Sequence, residues 1–505
     1  MRKVIFGRGL RGREIVMQNT ALDRLRTWLT ADNPYLAIGT AIGVAIAAGI
    51  LIGALFGSFG PVLALGAIGA LVVGMLMLRS TDWGLFALIG LICLLPYAAM
   101  PIEVGFRPTF IDAVMLALFG VWFLRLVTRT DRTFEISVLG LPILAFLLWA
   151  LITFIAGLAH ASLNATVLRR FAEVLLAVSL FFMAINQVRS IGSLKLITRV
   201  IILAGGMVGF LGVLFYVLPG PLTVRILSKL AVFNYPSGSG ILRFVEEDTS
   251  QPMRAIATSI DPNALGGLLV VVTAVAVVQL FADRPVLPRR LLVPLAGLMG
   301  LSLVLTFSRG SMLGLTAALM LVGILRYRKL FLLIALAGIL FLVLPQTQVH
   351  VIRFIEGIRG EDLATQMRFG EYKDALILIS RYPLLGVGFS GTPDIDLYLG
   401  VSMLYLLIAE QMGLVGLFIF LVIVGTYFVV TYRAWRQTPR GHMLEGLLLA
   451  YVAALAGALT GGIFDHFFFN INFVHLVALF WLTMGLGIAA AQLTGKAESD
   501  QAGPD

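Results

Sequence analysis

Four stretches of this sequence set charged groups at spacings that suit chemistry on an anion. In TFSRGSMLGL, Arg309 sits in a tight break between two apolar runs, flanked by Ser308, Gly310 and Ser311. Gly310 permits a backbone reversal, and the planar guanidinium can fork two phosphate oxygens. The competing reading is an arginine that snorkels to a membrane interface. In RAIATSIDPNALGG, Asp261 and Pro262 mark a helix start, and Arg254 precedes them, facing whatever the loop covers. Arg243 and Arg225 are weaker basic candidates that solvent can satisfy.

The third stretch is ATQMRFGEYKDALILISRYPLLGVGFSG. Phe369, Tyr372, Ala375 and Leu376 share one helical stripe, which leaves Arg368, Glu371 and Asp374 for water or for a site. Arg368 with Glu371 can equally be an exposed i,i+3 pair. Arg381 follows that helix, before Pro383, Gly386 and Gly388 bend the chain. In VSMLYLLIAEQMGLVG, Glu410 ends up on an apolar helix, where a charge is expensive unless paired or used, with Tyr405 five residues earlier. Two further groups are polar. Arg169 and Glu173 have the i,i+4 spacing of a salt bridge, beside Arg170, and Asp465-His466 reads as a helix-end cap.

The elements that must position these residues are membrane helices. Of 505 residues, 59% are hydrophobic and only 13% charged, against about 25% charged in soluble chains. Apolar stretches long enough to cross a bilayer fall at about 36–56, 61–78, 83–100, 109–127, 140–159, 166–187, 200–218, 262–282, 291–307, 310–326, 330–346, 411–432, 443–463 and 474–492. The expected fold is therefore all-α and polytopic, with about fourteen transmembrane helices in one domain over 36–492. Alternation from a cytoplasmic N-terminus puts 24 of the 37 Lys and Arg inside and 13 outside. Triplets such as Arg125/Arg129/Arg132 and Arg433/Arg436/Arg440 mark the inner loops, as the positive-inside rule asks. Both termini are then cytoplasmic. Residues 1–35 form a basic segment with Met17, Ala21, Leu25 and Trp28 at helical spacing, either an interfacial helix or a disordered tail, and 493–505 form the other tail. Seven Lys and Arg ahead of the first apolar run argue against a cleavable leader.

Two long outer loops, 219–261 and 347–398, hold most of the outer basic residues. Positive charge on the side that topology disfavours points to anion binding, not to nucleic acid. Cys93 stands alone in an apolar run, and His160, His350, His442, His466 and His475 form no ligand-spaced pair, so no metal site is expected. The sequence has no GxxxxGK[ST] loop, and no cofactor is expected.

In their order and spacing, RAIATSIDPNALGG, LTFSRGSMLGL, MRFGEYKDALILISRYPLLGVGFSG and SMLYLLIAEQMGLVG resemble the O-antigen polymerase and ligase superfamily of Wzy_C type, over roughly residues 250–420. The resemblance implies a bacterial plasma-membrane glycosyltransferase of the cell envelope, working at the outer face on glycans carried by undecaprenyl diphosphate. It implies metal-independent transfer, with arginines holding the diphosphate leaving group, and by position that role passes to Arg254, Arg309 and Arg368. Ligases hand the glycan to lipid A-core, whereas polymerases join lipid-linked repeat units. Ligases of the family usually open the segment before Tyr-Leu with a histidine, but here it reads Gly400-Val401-Ser402-Met403-Leu404-Tyr405. A general base must accept the acceptor proton, which leaves Glu410, Glu371 or Asp374, unless the arginine-stabilised leaving group carries most of the barrier.

The missing histidine, with a span count above that usual for ligases, favours the polymerase branch, with ligase second. Arg381, Tyr405, Arg169, Arg170 and Arg243 are then candidates for binding substrate. The expected partners are the lipid-linked oligosaccharide, the bilayer and a regulator of chain length. A metal-dependent, dolichol-type transferase would need acids in the first outer loop, which is acid-free near 57–61. A transporter of lipid-linked sugar or a small anion would place charge near mid-span, where only Arg169/Arg170/Glu173 comes near.

Overall fold

The computed structural model describes residues 79–501, apart from 102, 104, 129–133, 393–396 and 398–399, with a few positions between 69 and 77. The expected span at 36–56, most of that at 61–78, the basic N-terminal segment and the end of the C-terminal tail lie outside the described residues. Nearly all that is described belongs to the compact unit 73–505.

From Asp82 onward the described helices begin with α1 (Asp82–Leu94), α2 (Phe110–Val127), α3 (Gly140–Gly157), α4 (Ala165–Gln187) and α5 (Ile191–Val217). Next come α6 (Gly220–Ser228), α7 (Pro262–Phe281), α8 (Arg289–Leu305), α9 (Arg309–Leu325) and α10 (Lys329–Val343). The last five are α11 (Gln348–Arg359), α12 (Leu363–Arg381), α13 (Leu404–Gln437), α14 (Met443–Gly461) and α15 (Val474–Gln501). Between α6 and α7 lie β1 (Arg243–Phe244) and β2 (Met253–Arg254), an antiparallel pair in which Arg243 faces Arg254.

Each apolar stretch expected from 83–100 onward falls on a helix, yet fourteen spans are not reached. Among the described residues seven helices are long and apolar enough to cross a membrane, α2, α3, α5, α7, α13, α14 and α15. An eighth is obtained if α10 and the segment 348–381, bent by 96° where they meet, count as one. The rest fall short for physical reasons. With 13 residues, α1 is about 20 Å long at 1.5 Å per residue, against a hydrocarbon core of about 30 Å. With 17 residues, α9 reaches only about 25 Å, and α4 carries Arg169, Arg170 and Glu173 in its first turns.

Three helices form the centre: 89% of the apolar window of α7, 83% of that of α14 and 94% of that of α15 are buried, against 22% for α2. An all-round apolar helix suits either a protein core or lipid, and these three are enclosed by their neighbours. Asp261 starts α7 by accepting from the amides of Asn263 (2.7 Å) and Ala264 (2.8 Å), with Pro262 in the first turn. Along α9 and α14, Gly310/Gly314 meets Gly457/Gly461. A methyl group on Gly314 would stand 2.6 Å from the Gly457 carbonyl oxygen. Small residues four apart thus let the two backbones touch, which holds the N-terminus of α9 beside the end of α14.

A break in α13 shapes the same end of the bundle. Gly413 takes φ 68°, ψ 179° inside the helix, a conformation open to glycine. The carbonyls freed there are taken by other groups: Glu410 O accepts from Val387 N (2.8 Å), Gln411 O from Gly388 N (3.1 Å) and Met412 O from Trp149 Nε1 (2.9 Å). Irregular backbone inside a membrane protein needs this kind of internal satisfaction. The break places Glu410 on a short leading segment, next to the turn that opens it.

Candidate active site

The two long connections are folded around the ends of α7, α9, α13 and α14. Segment 219–261 supplies α6 and the β-pair, and segment 347–398 supplies α11 and α12. Arg254, at the end of β2, donates from Nε to the Thr306 carbonyl (2.7 Å) and from Nη2 to Asn263 Oδ1. These two bonds use two of its five N–H groups. Burial pushes its pKa down to about 10; Asp261 and Asp465 oppose this, and Arg353 and Arg368 add to it. Arg254, Arg353 and Arg368 therefore share one electrostatic environment. Such a cluster favours a bound anion.

Arg353, on α11, is the member that sequence reasoning missed. Its Nε is shut off from solvent and has no hydrogen-bond partner among the described residues. The apolar-and-basic sequence of α11, QVHVIRFIEGIR, gives no signal that singles it out from Arg359. Arg368, on α12, has a long ion pair with Asp465, 3.9 Å, and its side chain is a quarter exposed. Arg243 lies directly across the strand pair from Arg254 and is exposed. Like charges in that register repel, which a bound anion would relieve.

Arg309 is placed differently. As the first residue of α9 it forms an ion pair with Asp362, whose side chain is wholly buried, and donates to the Arg353 carbonyl (2.7 Å) and to Thr365 Oγ1 (3.4 Å). A methyl group on Gly357 would collide with its guanidinium. Arg309 therefore clasps α11 and the start of α12 to α9. Asp362→Asn would leave this guanidinium buried without its counter-charge, a class of change that costs about 3–5 kcal/mol. The expected result is a clearly lower thermal midpoint of the solubilised protein; an unchanged midpoint would show that the clasp contributes nothing.

Acidic and imidazole groups lie within electrostatic reach of Arg368. Glu371 Oε2 accepts from Ser402 N (2.9 Å), and Glu410 Oε1 from Gly400 N (3.2 Å). Glu410 is 1% exposed and its Oε2 has no partner among the described residues. Glu371 and Asp374 lie close enough to act on it electrostatically. The loop after α14 lies against this segment, with Leu404 N donating to the carbonyls of Gly462 (2.8 Å) and Asp465 (3.0 Å). That contact carries His466 to the place where the chain has no histidine of its own: His466 Nδ1 is 3.2 Å from the Val401 carbonyl. A proton on Nδ1 satisfies that carbonyl and leaves Nε2 as an acceptor. Burial lowers the His466 pKa below its ordinary value, with Glu371 and the Val401 contact opposing. The ring is neutral at pH 7, as a base must be.

Asp465 is the site's second titrating group. Burial raises its pKa to about 8, against the pull of Arg368 and the His466 amide. Near neutrality it is largely protonated, and Arg368 keeps its charge for a ligand. As pH rises through about 8 the carboxylate forms and competes for Arg368. Affinity for a dialkyl diphosphate, whose charge is constant in this range, is expected to fall there, and Asp465→Asn to remove the fall. Equal alkaline behaviour of the two proteins in a binding titration would contradict this.

The remaining expected residues lie elsewhere. Tyr405 donates its hydroxyl to the Leu459 carbonyl (2.9 Å), tying α13 to α14. Arg381 closes α12, exposed, about 20 Å along the helix from Arg368. Arg169 and Arg170 stand on α4 in the wall of a separate cavity with Asp112 and Glu173. Among the described residues there is no group of three or more His, Cys, Asp or Glu able to hold a metal ion.

Compared with known proteins, residues 294–421 match the Wzy_C family, described as O-antigen ligase. The match runs from α8 into α13, past the break at Gly413, and takes in Arg309, Arg353, Arg368, Glu371 and Glu410. Arg254 and His466 lie outside it. No curated protein matches the chain.

Proposed function

We propose, for a multi-pass membrane chain whose residues 294–421 match the Wzy_C family, that it joins lipid-diphosphate-linked saccharide repeat units into a longer glycan. The observation that carries the reading is that arginines 254, 353 and 368, drawn from three elements, act on one another electrostatically, with Asp465 acting on Arg254 and Glu371 on His466. The donor's diphosphate rests on the three guanidiniums, whose charge-assisted bonds strengthen as negative charge builds on the leaving group. The acceptor hydroxyl then attacks the anomeric carbon. A new C–O bond forms, the bond from that carbon to the diphosphate oxygen breaks, and undecaprenyl diphosphate leaves with the electron pair. His466 Nε2 takes the hydroxyl proton, and Glu371 acts on the ring to favour the imidazolium that results.

The site faces the outer side of the bacterial plasma membrane, with both termini cytoplasmic, in keeping with the charge asymmetry of the loops. A chain-length regulator is a partner that a polymerase of this kind would need. Ligation to lipid A-core uses the same donor site, and His466 removes one argument against it, since an imidazole is present after all. Purified protein in liposomes, given the host's own lipid-linked repeat unit alone, is expected to produce a ladder of longer glycans, with EDTA present. Product only on addition of lipid A-core assigns the ligase reaction, and dependence on Mg²⁺ or Mn²⁺ would overturn transfer supported by arginines alone.

A further inference from the structure

A cavity of about 360 Å³ lies apart from the arginine cluster, within the range of about 300–1,000 Å³ usual for ligand pockets. The N-terminal ends of α2 and α4 and the start of α15 wall it, together with Tyr97 and Phe106. Most of its charges are paired. Arg169 lies 2.8 Å from Asp112 and 2.6 Å from Glu173, Arg107 lies 3.6 Å from Glu103, and Arg170 donates to Asn472. A local network also holds Asp112 in place: Thr109 N donates to its Oδ2 (2.7 Å) and Asp112 N to Thr109 Oγ1 (3.1 Å), capping α2.

Hydrogen-bonding capacity is nevertheless left over. Asp112 Oδ1 and His475 Nε2 are buried without partners among the described residues, and His475 is 2% exposed. Buried polar atoms are ordinarily satisfied, so these two want a ligand or water. The His475 ring stands edge-on to Tyr97, centroids 5.0 Å apart. Balanced charge, unspent donors and acceptors, and aromatic walls suit a neutral, hydroxyl-rich ligand, since each hydroxyl both donates and accepts. Of the arginines that line it, only Arg170 lacks a carboxylate partner among the described residues, and the Asn472 side-chain carbonyl holds it instead.

The cavity shares two loops with the transfer site. Ile260 and Asn472 line it, and their loops carry Asp261 and Asp465, which act on Arg254. Asp261 acts on Tyr97 as well. We infer that this cavity binds the terminal sugar of the acceptor saccharide, so that the acceptor enters between α2 and α4 while the donor lies on the arginines. The inference rests on the proposed glycosyl transfer and assigns its second substrate.

The test uses the full chain in nanodiscs and, as probe, the repeat-unit saccharide released by mild acid from the host's own surface polysaccharide, free of lipid and diphosphate. Thr166→Trp fills the cavity from its exposed lip and breaks no internal bond; His475→Phe keeps the ring but removes the unpartnered nitrogen. Saccharide affinity is expected to fall at least tenfold in the first and several-fold in the second, and to stay unchanged in Arg254→Gln. No binding to the wild-type chain, equal binding in both cavity variants, or loss only in Arg254→Gln would overturn the assignment. Dialkyl diphosphate binding to the same samples reports folding in the cavity variants. Its absence from the wild-type chain would count against the diphosphate site alone, whatever the saccharide does.

Discussion

Replacing Arg368 with glutamine is expected to lower kcat/KM by about a hundred- to a thousand-fold, the range found when one preorganised donor to a developing oxyanion is removed. Arg368 is only lightly committed to the protein, since its ion pair with Asp465 is 3.9 Å long. Its removal disturbs few native bonds, and the loss should be catalytic. The folded state should melt as the wild type does, and kcat should fall more than KM rises, because the contact strengthens as the leaving group departs. Arg368→Lys keeps the charge without the fork and should recover only part of the rate. Wild-type kinetics in Arg368→Gln would remove this residue from the site.

The second large effect concerns the base. His466→Gln is expected to lower kcat by about a hundred- to ten-thousand-fold with little change in KM, the usual contribution of a positioned general base. Its signature is the pH profile. Burial lowers the His466 pKa, so the wild-type rate should fall only as pH drops below the ordinary imidazole range, where the ring becomes protonated. The variant should lose that acid limb. Asp374→Asn and Glu410→Gln offer the control. If either carboxylate is the base, its variant, and not His466→Gln, will abolish the limb.

The apolar runs gave away where the helices lie, because helix formation in a bilayer is a local property of some twenty residues. The number that cross was harder to read, since a run can be apolar throughout and still, like α1 or α9, stop short. Arg254 and Arg368 stood out because basic residues on the side that topology disfavours need a reason. The identities of their neighbours did not. Arg353 resembles any charge on an amphipathic helix, and only the fold brings it within electrostatic reach of Arg254.

Arg309 shows the limit from the other side. Its glycine- and serine-flanked position suits phosphate and suits a helix N-terminus equally, and Asp362, which engages it, lies 53 residues further along the chain. The imidazole is the clearest case. The segment 400–405 carries no histidine, whereas His466 arrives from the loop after α14 through the backbone contacts of Leu404. Tertiary neighbours of this kind have no sequence spacing to betray them. The break at Gly413, which sets Glu410 beside that turn, is equally non-local, for its carbonyls are satisfied by residues 149, 387 and 388.

The central claim is that a lipid diphosphate docks on Arg254, Arg353 and Arg368. Its most direct test is a structure of the full chain in nanodiscs with a dialkyl or undecaprenyl diphosphate bound. The account predicts phosphate oxygens at about 2.7–2.9 Å from those three guanidiniums, with Arg309 still paired to Asp362. Phosphates resting instead on Arg309 freed from Asp362, or on Arg169 and Arg170, would contradict it.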